Sequence, residues 1–271
     1  MDFLSKGSAP FSEELWAKID AAVVETAKRA LIGRRFLGLY GPLGSGALSV
    51  PVDDLNARGY EDDGSMVRTA GRAFKEIPLL YQDFSLSWRD LEYTEKNDLP
   101  VDLTAAMAAA AAAARNEDRL IFFGSEALGF SGLFGAKDAV HMKRGDWSKD
   151  ENPFSDVAKA VETLIGKGFW GRMALVVSPD LYTQMERIQA GTGRMELERV
   201  NSLLNGNVLR AQVLGSNKAI LVAAEPVNMD LAVGVDLSVS YLELKDLNHS
   251  LRIVETVLPR IKRGDAIVVF D

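Results

Sequence analysis

Cysteine is absent from this sequence, which excludes disulfides, thiolate metal ligands and a cysteine nucleophile together. That composition suits a reducing compartment, and a cytoplasmic location is expected. Histidine is nearly absent as well. His141 and His249 are the only two, neither has a second ligand at metal-binding spacing, and no metal site is expected. No apolar run approaches the ~20 residues that cross a bilayer, so no membrane partner is expected. The opening Met1-Asp2-Phe3-Leu4-Ser5-Lys6 lacks the basic and apolar regions of a secretion signal. Positive charge is in deficit: 31 Lys and Arg stand against 38 Asp and Glu, a formal net charge of −7. The densest basic groups, Lys143-Arg144 and Arg260 with Lys262-Arg263, are short, which argues against nucleic acid as a partner.

Catalytic signatures are missing too. The glycine-rich Gly41-Pro42-Leu43-Gly44-Ser45-Gly46 lacks the Gly-Lys-Ser/Thr ending and following helix of a phosphate loop, and reads as a turn feeding a strand. Gly124-Ser125-Glu126 does not match the nucleophile elbow. The acidic pairs Glu13-Glu14, Asp53-Asp54 and Asp62-Asp63 read as helix-cap or loop charges. Phe169-Trp170, set among glycines, reads as a packed loop before it reads as a stacking platform. No local motif supports a Ser-His-Asp triad. No catalytic residue and no cofactor are expected.

What remains is a folded chain, 47% apolar and 25% charged, organised around one helix. Asp102 is a good N-cap, the alanine run reaches Ala114, and Leu120-Ile121-Phe122-Phe123 leads to Gly124 as terminator. Alanine favours helix and permits close approach, so the segment reads as a buried spine of roughly 30 Å. Ser12 caps an earlier helix with Leu15, Ile19, Ala22, Val23, Ala27 and Ala30 at helical spacing, and Gly33 is its expected terminator. From Leu48 to Leu80, short apolar runs broken by acidic and glycine residues predict a two-stranded arm with its tip near Gly59–Gly64. Phe84, Leu86 and Trp88 alternate with serines as a half-buried strand. Gly124 to Gly135 reads as a close-packed bend. The texture changes at Ala136. A helix over Pro153–Ile165, a strand at Ala174–Val177, a helix from Pro179 to Gln189, a loop Ala190-Gly191-Thr192-Gly193, and a helix holding Leu197, Val200 and Leu204 follow. Strands at Val208–Val213 and Ala219–Val222 complete an α/β insertion. The last third is β-rich, at Leu231–Val235, Leu237–Tyr241, Leu251–Val257 and Ile267–Phe270, and is expected to return to the first domain.

An arm reaching away from a compact body, in a chain with no catalytic signature, points to assembly. The residues that then carry a resemblance are Met1-Asp2-Phe3-Leu4 with Ala9-Pro10, Gly33-Arg34-Arg35-Phe36 with Gly41-Pro42-Leu43-Gly44, and Val101-Asp102-Leu103. Ile121-Phe122-Phe123-Gly124, Leu175-Val176-Val177-Ser178-Pro179-Asp180, Gly234-Val235-Asp236-Leu237-Ser238 and Glu255-Thr256 complete the set. In order and spacing the chain resembles the encapsulins over nearly its whole length. The resemblance implies an α+β, phage major-capsid-like fold with three parts. A peripheral domain would comprise residues 1–47, 81–135 and 225–271, an extended loop 48–80, and an axial domain 136–224.

The same resemblance implies a bacterial nanocompartment, a closed icosahedral homo-oligomer whose principal partner is itself. It would enclose a cargo enzyme such as a dye-decolourising peroxidase or a ferritin-like protein, with small pores for substrates. Cargo would dock through a short C-terminal peptide at Leu31, Arg34, Asp236, Leu237 and Val239. Gly38 stands where the family often has an acidic residue, so one polar peptide contact is missing. Gln189, Ala190, Gly191, Thr192, Gly193 and Arg194 would line a pore at a symmetry axis, where glycines at φ > 0 allow copies to approach. The competing readings are a phage or prophage capsid protein, which the acidic balance disfavours, and a peptidase- or bacteriocin-like enzyme, which the missing motifs disfavour.

Overall fold

Ser12 opens the first helix as its cap. Its hydroxyl accepts a hydrogen bond from the Leu15 amide at 3.2 Å, and Glu13 and Glu14 sit at the positive end of the helix dipole. In the computed structural model, which describes all residues except 1–2, 53–58, 63, 65–66, 71–72 and 190, this helix, α1, spans Glu13–Ala30 and buries Trp16, Ile19, Val23 and Ala27. It stops before the expected glycine. The amides of Ile32 and Gly33 leave the helical ladder to donate to the carboxylate of Asp118, at 3.0 and 2.8 Å.

Strand β1 (Gly38–Tyr40) follows, and then the glycine-rich turn, which lies between β1 and the next strand at Ser49–Pro51. Its Leu43 and Gly44 amides donate to the carbonyls of Val233 and Gly234. The arm is a pair of antiparallel ribbons: β2 (Ser49–Pro51) with β5 (Phe74–Glu76), and further out β3 (Gly59–Asp62) with β4 (Val67–Ala70). Gly59 pairs with Ala70 and Asp62 with Val67, so the first four residues of the expected tip lie in a strand; of residues 63–66 only Gly64 is described. Strand β6 (Leu79–Ser87) buries Phe84 and Leu86. Trp88 does not extend its alternation. It is the first residue of an unforeseen helix α2 (Trp88–Lys96), capped by the Ser87 hydroxyl.

The spine is α3 (Thr104–Phe123), with the Asp102 carboxylate accepting from the Thr104 amide at 2.8 Å. Gly124 ends it at φ 70°. A Cβ there would meet the Phe130 carbonyl, and one at Gly132 (φ 65°) would meet the Gly124 amide. Only glycine fits such a turn, and through it the chain folds back so that Leu133 and Phe134 donate to the carbonyls of Ile121 and Phe122. The close-packed bend is therefore as expected.

The remaining elements are β7 (Val140–Met142), α4 (Asn152–Gly166), β8 (Met173–Val177), α5 (Pro179–Met185), α6 (Glu196–Leu203), β9 (Val208–Arg210), β10 (Ala219–Ala223), β11 (Met229–Val233), β12 (Ser238–Lys245), β13 (Asn248–Ile261) and β14 (Ile267–Phe270). Helix α5 ends four residues short of the expected Gln189, and the expected strand to Val213 ends at Arg210 before a short 3₁₀ turn.

Two five-stranded sheets organise these pieces. The first has β13 at its centre, antiparallel to β11, β12 and β6, with β1 parallel to β11 at one edge. The second runs β7-β14-β10-β8-β9. The last strand is the main departure: Ile267–Phe270 joins the second sheet, antiparallel to β10. Burial explains this. All four of its residues are buried, as are all five in β8 and in β10, whereas β13 alternates buried with half-buried positions along most of its length. A strand apolar on both faces needs a sheet covered on both faces.

The spine serves both cores. Ala106, Ala109, Ala110 and Ala113 pack with Trp16, Ile19 and Val23 of α1 and with Phe84, Leu251 and Ile253 of the first sheet. One helical stretch further on, Leu120, Ile121 and Phe122 belong to the core that contains Leu175 and Ile220 of the second. Small side chains in the first half let α1 and the sheet close onto the helix from two sides.

Candidate functional site

The end of α1, the middle of the spine and the first sheet meet at Arg34, and every side chain there follows from its element. Glu117 and Asp118 continue the inward face set by Ala110, Ala113 and Ala114, at helical spacings of three and four, so the helix carries both carboxylates indoors. Glu255 lies on β13 and is buried. Asp236 sits in the turn before β12 and is partly exposed.

Arg34 reaches three of these acids. Its Nε and Nη2 donate to Glu117 at 2.9 and 2.7 Å, its Nη1 to Asp236 at 2.7 Å, and Nη2 also to Glu255 at 3.1 Å. Although burial favours the neutral form, hydrogen bonds and charge from Glu117 and Asp236 hold the guanidinium firmly protonated. For Asp236 the upward push of burial is outweighed by Arg34, and its carboxyl titrates below the usual range. Burial pushes Asp118 up to about 7, against the pull of the Gly33 and Ile32 amides. Burial, reinforced by the neighbouring Glu117, drives Glu255 well above the usual carboxylate range.

Of the five expected docking residues, Arg34 bonds Asp236 and Leu31 packs with Leu237, while Val239 lies in the neighbouring cluster around α1 that Leu237 also touches. Leu31 and Val239 are 5% and 1% exposed and already covered by the chain's own side chains. Leu31 packs with Ala27 and Ala114, and Leu237 with both that group and the cluster around α1. Leu237 is half-buried, and Asp236 beside it faces solvent. Four of the five N–H donors of Arg34 are taken up by Glu117, Glu255 and Asp236, which leaves one Nη1 hydrogen for any partner. A separate groove of about 690 Å³, between the start of α1, α2 and the β12–β13 hairpin, includes Phe11, Leu15, Trp88, Leu91, Leu247 and His249, and none of the five.

Of the expected pore residues, Gly191, Thr192, Gly193 and Arg194 lie exposed in the turn between α5 and α6, with Gln189 half-buried at its base. Gly191 and Gly193 adopt φ 88° and 67°, and the Gln189 amide donates to the Arg194 carbonyl at 2.9 Å, closing a tight turn beyond the Ile188–Met195 bridge. The Gln189 side chain is held by Arg199, which also pairs with Glu196 and Glu151. Thr192 and Arg194 project from the turn, and Ala190 lies outside the described residues.

Among the described residues no group of three or more acidic or histidine side chains forms a metal cradle, and no helix is long and apolar enough to cross a membrane. A β-rich body on a spine helix, an arm held apart from it and a second α/β unit with a glycine turn at its tip together define a capsid-fold shell subunit. Known proteins agree. The model of a family described as an encapsulating protein for peroxidase matches residues 1–258. The type 1 encapsulin shell protein EncA of Myxococcus xanthus is 38% identical across 100% of this chain and 96% of its own. A diheme-cytochrome–encapsulin shell fusion protein of Kuenenia stuttgartiensis is 40% identical, over 96% of this chain and 73% of the relative. Among solved structures, the virus-like particle from Pyrococcus furiosus superposes with a TM-score of 0.77 at 23% identity, covering 95% of this chain and all of that one. The capsid of Myoviridae phage XM1 shares the fold more distantly, with a TM-score of 0.58 at 16% identity over 86% and 88% of the two chains. The chain belongs to the encapsulin shell protein family.

The sequence reading did not single out Glu117, Asp118 or Glu255 as site residues. The signal was present for the first two: both fall on the buried alanine face, where a carboxylate needs a partner.

Proposed function

We propose that the protein is a non-catalytic subunit of a closed icosahedral shell that retains a cargo enzyme by a short peptide docked beside Leu237. The observation that carries the docking site is the pairing of a half-buried Leu237 with an exposed Asp236 at the end of α1, both held in place by the Arg34 cluster. Leu31 and Val239 support the floor from beneath. Arg34 acts through Asp236, whose position sets the register of the peptide, a contribution to specificity more than to affinity. A contact this small gives each peptide a weak grip, and many copies around one multimeric cargo raise retention through effective concentration. The family description makes a peroxidase the first cargo to test, a dye-decolourising one before others, with a ferritin-like protein second.

The division of the chain that fits this reading is a peripheral domain of residues 1–47, 81–135 and 225–271, an arm of 48–80 and an axial domain of 136–224, with β14 lent to the axial sheet. Like the relatives named above, this subunit works as a shell protein.

Leu237→Asp is the direct test. Co-expressed with a peroxidase carrying its C-terminal peptide, the variant should form shells of normal size and retain less than about a tenth of the wild-type cargo, as weighed by native mass analysis. Full retention in intact shells places the groove elsewhere. For the loop at 189–194, replacing Gly191 and Gly193 with leucine should slow entry of a small peroxidase substrate several-fold while leaving particle size unchanged. Equal rates in intact shells remove this loop from the route.

A further inference from the structure

The charges at the Arg34 joint do not balance. One guanidinium serves Glu117, Glu255 and Asp236, with Asp118 adjacent in the spine. The surroundings add little. From α1, Lys28 acts on the exposed Asp236 while Arg29 pairs with Glu25; Arg35, beside Arg34, acts on Asp118. The one charged residue of β6, the strand paired alongside Glu255, is Asp83, and Arg252 occupies it. Glu117 and Glu255 are 0% and 1% exposed, and an oxygen of each converges on the same Nη2 of Arg34. The other Glu255 oxygen is buried with no hydrogen-bond partner. Two full negative charges on one guanidinium nitrogen, out of water and with a bare carboxylate oxygen, are unfavourable. A proton on Glu255, bridging to Glu117, resolves the conflict.

We propose that this cluster is a proton-operated latch on the end of α1: a proton on Glu255, directed at Glu117, closes it, and loss of that proton loosens residues 31–36 from the spine and sheet. The direction follows from the folded state holding protons that the unfolded chain releases. Burial and Glu117 raise Glu255, and burial raises Asp118 to about 7. The stability tied to these groups is therefore complete below about pH 4, the range of unperturbed carboxyls, and is lost as pH rises through their folded-state values. The latch opens on the alkaline side. Because residues 31–36 include Arg34, which holds Asp236, alkaline opening would also slacken the docking wall; that extension rests on the docking reading above, and the test avoids it by using empty shells.

Hydrogen exchange of empty shells, corrected for the intrinsic rate, should be compared at about pH 5.5 and about pH 8.5. In the wild type, peptides covering residues 27–36 should lose about tenfold or more of their protection at the higher pH, while β8 stays unchanged. Glu255→Gln keeps the shape and a donor toward Glu117 without the titration, and should lose clearly less protection between the two values than the wild type does, the remainder belonging to Asp118. Glu117→Gln, which removes the facing charge instead, provides the same reading if the first variant forms no shells. Wild-type protection that is equal at the two pH values overturns the latch without recourse to a variant, and so does a Glu255→Gln variant that loosens as the wild type does.

Discussion

Replacing Arg34 with methionine will destabilise the subunit by about 3–5 kcal/mol, the cost of leaving buried carboxylates without their partner. The size follows from what Arg34 touches. Glu117 receives two of its nitrogens and is wholly buried, and Glu255 shares one of them. Surface pairs such as Glu14 with Lys18 or Glu92 with Lys96 are worth far less, because water screens them. The variant should therefore give little soluble shell at neutral pH and a denaturation midpoint well below the parent. Adding Glu117→Gln and Glu255→Gln should restore most of the loss, since a neutral cluster no longer needs a cation. An Arg34→Met subunit within about 1 kcal/mol of the parent would mean that the carboxylates find their balance elsewhere. The buried Arg260–Asp230 pair, bidentate at 2.6 Å on each arm, is a useful contrast because one arginine meets one carboxylate there, with Lys262 in addition. There the two cations outnumber the acid.

The way these residues read in sequence follows from how far apart they are. Helices α1 and α3 were legible because their signals are local: Ser12 and Asp102 at the starts, Gly124 at the end, apolar residues three and four apart between. The arm was legible from short apolar runs between acidic and glycine breaks, although Gly59–Asp62 of its expected tip are strand. The Arg34 cluster was only half legible. Its members lie 83, 202 and 221 residues from Arg34, and no periodicity spans such distances. Glu117 and Asp118, in the run Arg115-Asn116-Glu117-Asp118, resemble a solvated helix face until the alanine stripe is projected onto them. Strand β14 misled for a related reason. Nothing within Ile267–Phe270 states which sheet it joins, and the choice depends on a covered slot beside β10 that forms only in three dimensions. Helix α2 was missed because Trp88 continued a strand alternation that the Ser87 cap interrupts.

Removing the outer ribbon, residues 59–70, and closing the gap with a two-glycine turn should abolish closed shells while leaving the subunit folded. The argument rests on where the ribbon's hydrogen bonds go. Strands β3 and β4 pair with each other and join neither five-stranded sheet, nor even the β2–β5 ribbon at the base. A lone two-stranded ribbon is marginal in water, and its unpaired edges are open to another chain. In a protein that builds a shell, a neighbouring copy is the partner such a ribbon would pack on, and the surface it buries there belongs to assembly rather than to the fold. The base of the arm is different. Val50 and Ile77 are 2% and 6% exposed and belong to the body's own core, so the deletion must spare them. Circular dichroism of the shortened chain should match the parent, and light scattering should report free subunits or small oligomers in place of particles. Full-sized closed shells from the shortened chain would show that the contacts between copies lie on the body and that the ribbon is dispensable.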